Sequence, residues 1–121
     1  MMECLIIDDN VKITTALSLV LKSQKIVATV INDSRKGLEE IRNKNYDLIL
    51  MDLAMPGFSG HDIIKALNES GEIESKNIVI VTASSKSDEE QGLLDAGAKE
   101  SLRKPISIPD IKKVVEKYKP K

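Results

Sequence analysis

The sequence predicts an α/β fold in which five parallel strands alternate with five helices that cover both faces of one sheet. Short apolar runs of strand length recur along the chain, separated by segments with helical period. Within the runs 47–51 and 77–82, residues 48–51 and 78–81 are all apolar, which is typical of parallel strands buried on both faces. The 121 residues fit one domain, and 41% of them are hydrophobic, an ordinary share for a globular fold.

The five predicted strands are short segments bounded by polar or turn residues. They lie at 3–7, 26–31, 47–51, 77–82 and 99–102. The run at 26–31 is more mixed than the others and suits an edge strand. Because strands and helices alternate, the crossovers between strands should be right-handed.

The five predicted helices are indicated by apolar residues at helical spacing and by signals at their ends. The first has a stripe of apolar residues, Ile13, Ala16, Leu17, Val20 and Leu21. The second opens at Asp33 or Ser34, the third follows Gly60 and stops at Gly71, the fourth spans about 87–96, and the last starts near Ser107 and ends before Pro120. The segment 70–77 is expected to be loosely structured.

Charge and composition exclude several classes of function. The chain has 18 basic and 19 acidic residues, a formal net charge of −1, so no basic field attracts it to nucleic acid or to a membrane surface. Two tyrosines and one phenylalanine cannot form a platform for stacked bases. The single cysteine, Cys4, is expected to be a buried structural thiol in a reducing compartment. No apolar run approaches the ~20 residues of a membrane span and no leader is evident, so we expect a cytoplasmic protein.

Polar side chains follow or end four of the predicted strands. Asp8 and Asp9 follow the first strand, Asp52 the third and Lys104 the fifth, while Thr82 ends the fourth. Ligands of an open parallel sheet bind just outside the carboxyl ends of its strands, so these groups should meet at one edge. Three carboxylates, a hydroxyl and an ammonium group together describe a site for a divalent metal and a phosphoryl group.

Each of these residues has a plainer interpretation when taken alone. Asp8 or Asp9 could be the N-cap of the first helix, and Asp52 could be a loop carboxylate. Thr82 could simply end a strand, and Lys104 could be a solvated surface lysine. Their joint occurrence favours the site. Neighbouring carboxylates repel one another by roughly 4 kcal/mol per pair at about 4 Å, so a cation such as Mg²⁺ is expected among them.

The chain resembles the receiver domain of two-component response regulators, the CheY-like family, from residue 3 to about residue 119. Short motifs in a fixed order carry the resemblance: Asp8–Asp9, the segment from Asp52 to Gly60, Thr82–Ala83, Gly97–Ala98 and Lys104–Pro105. Each motif is weak alone, whereas the complete series is specific.

The resemblance implies a role for each site residue. Asp52 is the expected phosphoacceptor, and Thr82 and Lys104 are expected to bind the phosphoryl group. Mg²⁺ is the expected cofactor, held by Asp8 through a water, Asp9, Asp52 and the backbone carbonyl of Ala54. In the family, the peptide bond before the proline that matches Pro105 is usually cis. Apart from its own phosphorylation and dephosphorylation, the protein is not expected to be an enzyme.

The resemblance also implies a doubly wound, flavodoxin-like sheet of strand order 2-1-3-4-5, with helices one and five on one face and the other three opposite. Residues 1–121 would form a single stand-alone receiver domain that takes a phosphoryl group from a sensor histidine kinase or phosphotransfer protein. Helix four, strand five and helix five, from Ser87 to Tyr118, would bind an unidentified downstream protein. Neither nucleic acid nor membrane would be contacted directly, and the protein would be a monomer or a phosphorylation-dependent dimer.

The sequence departs from the family at three positions near the expected site. Ser101 stands where many members have an aromatic switch residue, so the output is expected to rely on backbone shifts and helix repositioning. Ala54 and Ser84 are small, which predicts slow self-dephosphorylation because neither can position an attacking water. His61, the only histidine, is expected to be a surface residue and not a phosphate carrier.

Two other functions stay open from sequence alone. A degenerate receiver-type module that binds partners without phosphorylation is favoured by Ser101 but opposed by the complete set of site residues. A haloacid-dehalogenase-like phosphatase is less favoured, because that family requires Asp-x-Asp after the first strand and this chain has Asp8-Asp9-Asn10. A nucleotide-binding protein is disfavoured, since no glycine-rich loop follows the first strand.

Overall fold

Strands and helices alternate throughout the computed structural model, which describes residues 2–83 and 87–120. The strands are β1 (Cys4–Ile7), β2 (Ala28–Ile31), β3 (Leu48–Asp52), β4 (Ile78–Thr82) and β5 (Glu100–Arg103). The helices are α1 (Val11–Ser23), α2 (Ser34–Asn43), α3 (Gly60–Ser70), α4 (Ser87–Asp95) and α5 (Ile108–Tyr118). Each predicted element is present, and its ends lie within a few residues of the predicted ones.

The five strands form one parallel sheet of order β2-β1-β3-β4-β5, which confirms the predicted doubly wound topology. The chain order reverses between β1 and β3, so the crevice of the switch point opens there. In register, Ile7 of β1 lies beside Met51 of β3, and Asp52 lies beside Val81 of β4. The carboxyl ends of the central strands are therefore level with one another.

The helices cover the two faces of the sheet unequally, as predicted. One face packs against α2, α3 and α4 through a cluster that includes Ile41, Ile63, Leu67 and Leu93. The opposite face packs against α1 and α5 through a cluster that includes Leu17, Leu21, Ile111 and Val114. Alternate residues of β1, β3 and β4 join alternate clusters, and this two-sided burial explains why these three strands are almost continuously apolar.

The segment between α3 and β4 is ordered, so the expectation of a loosely structured stretch is wrong. Residues Ile73–Ser75 form a short 3-10 helix, and the side chain of Ile73 is buried. Gly97 lies so close to it that a Cβ atom there would come within 2.7 Å of Ile73 Cγ2. A single isoleucine among acidic residues has no periodicity, which is why the sequence pattern did not reveal this contact.

Helices long and apolar enough to cross a bilayer are absent from the described parts of the chain.

Candidate functional site

Three carboxylates meet at the carboxyl edge of the sheet. One oxygen from each of Asp8, Asp9 and Asp52 lies within 4.8 Å of the others. Asp8 and Asp52 are buried, whereas Asp9 is exposed. Parallel strands that end level with one another bring these residues together, although 43 positions of sequence separate Asp9 from Asp52.

The first helix is capped by a residue other than the two neighbouring aspartates. The side chain of Asn10 accepts hydrogen bonds from the backbone N–H groups of Lys12 and Ile13, at 3.0 and 3.3 Å. Asp8 itself accepts a hydrogen bond from the Asn10 backbone N–H at 3.0 Å. The interpretation of Asp8 or Asp9 as a simple helix cap is therefore ruled out, and their carboxylates point to the cluster instead.

Lys104 bridges the two buried carboxylates. Its Nζ atom lies 3.2 Å from Asp8 Oδ2 and 3.1 Å from Asp52 Oδ1. The backbone N–H of Lys104 donates to the Thr82 carbonyl at 2.8 Å, and the following peptide bond to Pro105 is cis, as the family resemblance implies. Lys104 is thus a member of the site and not a solvated surface lysine.

Burial and charge oppose each other at the Lys104 ammonium group. Burial acts to lower its pKa, but the hydrogen bond and charge attraction to Asp52, followed by those to Asp8, outweigh burial and raise the pKa above its ordinary value. The ammonium group is therefore charged at neutral pH. It offsets one of the three negative charges, which leaves the cluster with an excess of about two.

The excess charge and the donor set fit a hard divalent cation. Closely spaced carboxylate oxygens are suitable ligands for Mg²⁺, which keeps several waters and uses few protein ligands. Ala54, whose carbonyl completes the expected set, lines the same cavity as the three aspartates. This cavity has a volume of about 350 Å³ and is open to solvent, so a phosphoryl group and waters have room beside the carboxylates.

The loop after β3 is held against the cluster by a glycine and a helix cap. A Cβ atom on Gly60 would lie 2.6 Å from the Asp52 carbonyl oxygen, so this close approach requires glycine. The Gly60 N–H donates to the Leu53 carbonyl at 3.1 Å. Ser59 and Asp62 then form a reciprocal capping box that starts α3.

The remaining predicted positions are placed as follows. Thr82 is buried at the end of β4 and lines the same cavity. Ser101 lies on β5 beside Ile80 and is half-buried. Ser84, the second small residue expected to flank the phosphoryl group, lies outside the described residues.

The cavity also contains a pair of facing residues that was not identified from the sequence as part of the site. His61 of α3 and Glu89 of α4 face each other, with His61 Nε2 2.5 Å from Glu89 Oε1. Both side chains line the cavity that holds Asp52, Thr82 and Lys104. His61 is exposed at 42% of its side chain, as expected of a surface residue, and it also lines the cavity. Because 28 positions separate the pair, no local pattern could have revealed it.

Comparisons with known proteins agree with this geometry. The family model described as "Response regulator receiver domain" matches residues 4–116. The "Two-component response regulator ORR3" of Oryza sativa subsp. indica is 27% identical over 111 residues, which are 91% of this chain and 85% of that protein. The "Response regulator ArlR" of Staphylococcus saprophyticus is 29% identical over 92% of this chain, which spans 49% of ArlR.

A comparison with solved structures supports the same family. The structure of the Francisella response regulator 1452 receiver domain superposes with a TM-score of 0.88 at 26% identity, covering 98% of this chain and 96% of that one. The match of the family model over nearly the whole chain, together with this likeness, decides the assignment: the chain belongs to the response regulator receiver domain family of two-component signalling.

Proposed function

We propose that the chain is a phosphorylatable receiver in which Asp52 accepts a phosphoryl group from the phosphohistidine of a sensor histidine kinase or phosphotransfer protein. The observation that carries this proposal is the placement of Lys104 between Asp8 and Asp52, within a cluster of three carboxylates at the mouth of a cavity. A merely structural ion pair needs one carboxylate, and the excess of negative charge disfavours the folded state unless a ligand offsets it.

The chemistry assigned to Asp52 is a nucleophilic displacement. A carboxylate oxygen of Asp52 attacks the phosphorus of the donor, and a P–O bond forms as the P–N bond to the donor imidazole breaks. The departing nitrogen keeps the bonding electron pair and is protonated from solvent. An aspartyl phosphate is an established type of covalent intermediate. Most of the catalysis would come from positioning and from charge stabilisation of the transferred group.

The other site residues would hold the transferred group. Lys104, already hydrogen-bonded to Asp52, would pass its ammonium group to a phosphoryl oxygen, and Thr82 would supply its hydroxyl from the end of β4. Asp8, Asp9, Asp52 and the Ala54 carbonyl would hold Mg²⁺, which when bound offsets negative charge on the phosphoryl oxygens. The chain would have no activity toward other substrates.

The proposed output surface comprises α4, β5 and α5, from Ser87 to Tyr118. Ion pairs already tie its elements together: Arg103 of β5 lies 3.7 Å from Glu90 of α4, and Lys117 of α5 lies 3.1 Å from Glu100 of β5. Such exposed pairs contribute little stability, about 0–1 kcal/mol each, so they can be exchanged for a partner's charges. We expect a downstream protein to bind there in the cytoplasm, with or without receiver dimerisation.

Incubation with acetyl phosphate and Mg²⁺, followed by intact-protein mass spectrometry, tests the proposal. We expect an added phosphoryl mass in the wild-type protein, its loss in Asp52→Asn, and its loss when EDTA replaces Mg²⁺. Steady hydrolysis of unrelated phosphoesters would instead indicate the phosphatase. A wild-type protein that stays unmodified would favour the receiver-type module that binds partners without phosphorylation.

A further inference from the structure

We propose that His61 is a further ligand of the phosphoryl group on Asp52, and that it reaches this group by giving up Glu89, which releases α4. The inference rests on the proposed function and concerns residues of this chain that the expected site did not include. It gives the phosphorylated site a connection to α4 that does not need an aromatic side chain at position 101, where this chain has Ser101.

The pair joins two elements at the wall of the acceptor cavity. His61 is the second residue of α3, and Glu89 is in the first turn of α4. The imidazole Nε2 lies 2.5 Å from Glu89 Oε1, and both side chains line the cavity of about 350 Å³ together with Asp52. A phosphoryl group on Asp52 projects into this same cavity, so its oxygens and Glu89 become competing acceptors for one imidazole N–H.

Phosphorylation weakens the His61–Glu89 contact in two ways, by repelling Glu89 and by competing for the imidazole N–H. An aspartyl phosphate replaces one negative charge by about two, which repels the Glu89 carboxylate. The phosphoryl oxygens are also strong acceptors for the Nε2–H group that now donates to Glu89. The neighbouring Lys104 ammonium is already shared between Asp8 and Asp52, so a second donor at the cavity wall adds to it without displacing it.

Release of Glu89 would act on α4 because Glu89 itself lies in the first turn of this helix. Leu93 anchors its later turn in the core. Among the ion pairs of the described residues, the neighbouring Glu90 has one partner, Arg103, at 3.7 Å. Loss of the His61 contact would therefore loosen the first turn of α4 while its later turn stays packed, which is a two-state change at the proposed output surface.

The single histidine makes the test spectroscopically simple. In protein labelled with ¹⁵N-histidine, one imidazole gives all the signals, and Mg²⁺ is kept in every sample. Addition of acetyl phosphate should shift the Nε2 resonance of the wild-type protein. Before phosphorylation, the resonance in Glu89→Gln should differ from that in the wild-type protein. After phosphorylation, the resonances of the two proteins should coincide, because His61 then faces the phosphoryl group in both. Glu90→Gln, the matched control on the next residue, should change neither state.

Hydrogen exchange of the peptide 87–95 supplies the second measurement. His61→Leu should raise its exchange about two- to fivefold before phosphorylation, the factor expected from one partly exposed ion pair. His61→Gln, which keeps an N–H donor, should exchange as the wild-type protein does. Phosphorylation should raise exchange in the wild-type protein and add nothing in His61→Leu.

The outcomes separate this inference from the proposed function. A phosphorylated protein whose imidazole signal does not move, or in which Glu89→Gln shifts the signal equally in both states, overturns the inference alone. So does unchanged exchange of 87–95 in His61→Leu. A wild-type protein that gains no phosphoryl mass overturns the proposed function, and the inference with it.

Discussion

At the carboxyl edge of the sheet, Lys104 offsets one of three negative charges. Without Mg²⁺, the remaining repulsion among the carboxylates destabilises the folded state. A functional site of this kind is retained at the expense of stability. Removal of one carboxylate should therefore strengthen the metal-free fold, even though one hydrogen bond to Lys104 is lost.

We expect Asp52→Asn to raise the free energy of unfolding by about 1 kcal/mol in EDTA, because the amide keeps the shape of the side chain and removes its charge. Urea unfolding followed by circular dichroism measures this difference, which should shrink in saturating Mg²⁺. Glu116→Gln, which removes an exposed carboxylate of α5, is the matched control and should change stability by less than about 0.5 kcal/mol. A less stable Asp52→Asn protein in EDTA would contradict this account of the site.

Among the elements, the start of α3 is placed by the contact of Gly60 with the backbone of β3. A Cβ atom there would lie 2.6 Å from the Asp52 carbonyl oxygen and 2.9 Å from Leu53 Cα, and neither backbone atom can rotate away. Gly60→Ala should therefore cost about 1–3 kcal/mol of stability and slow phosphorylation by acetyl phosphate, because the end of β3 must move.

Gly92 provides the opposite case on an exposed turn of α4. A Cβ atom at this position meets no atom within 4 Å, so Gly92→Ala should stabilise the protein by about 0.5–1 kcal/mol through helix propensity. Thermal unfolding of Gly60→Ala and Gly92→Ala compares the two stability changes directly. Equal stability changes would show that the close approach of Gly60 does not constrain the loop.

The elements also show how far the sequence could predict this molecule. Continuous apolar strands and capped helices are local signals, so the sheet, its order and the level strand ends followed from them together with the family resemblance. The 3-10 turn at Ile73 and the His61–Glu89 contact depend on how elements distant in sequence pack together, and no periodic pattern reports such packing. The Asn10 cap was likewise hidden by two neighbouring aspartates that could have served equally well.

For the molecule as a whole, Cys4 is a probe of global opening. It lies at 0% exposure on β1, between β2 and β3, and burial, followed by the negative charge of Asp47, raises the pKa of its thiol to about 12. At pH 8 the folded protein would therefore carry almost none of the reactive thiolate. Alkylation should therefore proceed through unfolded molecules, at a rate proportional to their equilibrium population.

Mg²⁺ should protect this thiol from a distance, because a ligand that binds only the folded state lowers the unfolded population by the factor 1 + [Mg²⁺]/Kd. At a concentration of about 100 Kd, alkylation of Cys4 by iodoacetamide should slow about 100-fold in the wild-type protein. Asp9→Asn removes an exposed member of the cluster that makes no contact with Lys104 among the described ion pairs, so it should fold normally but lose most of this protection. Protection by Mg²⁺ that persists in Asp9→Asn would place the metal elsewhere, whereas its absence from the wild-type protein would show that the cluster binds no Mg²⁺.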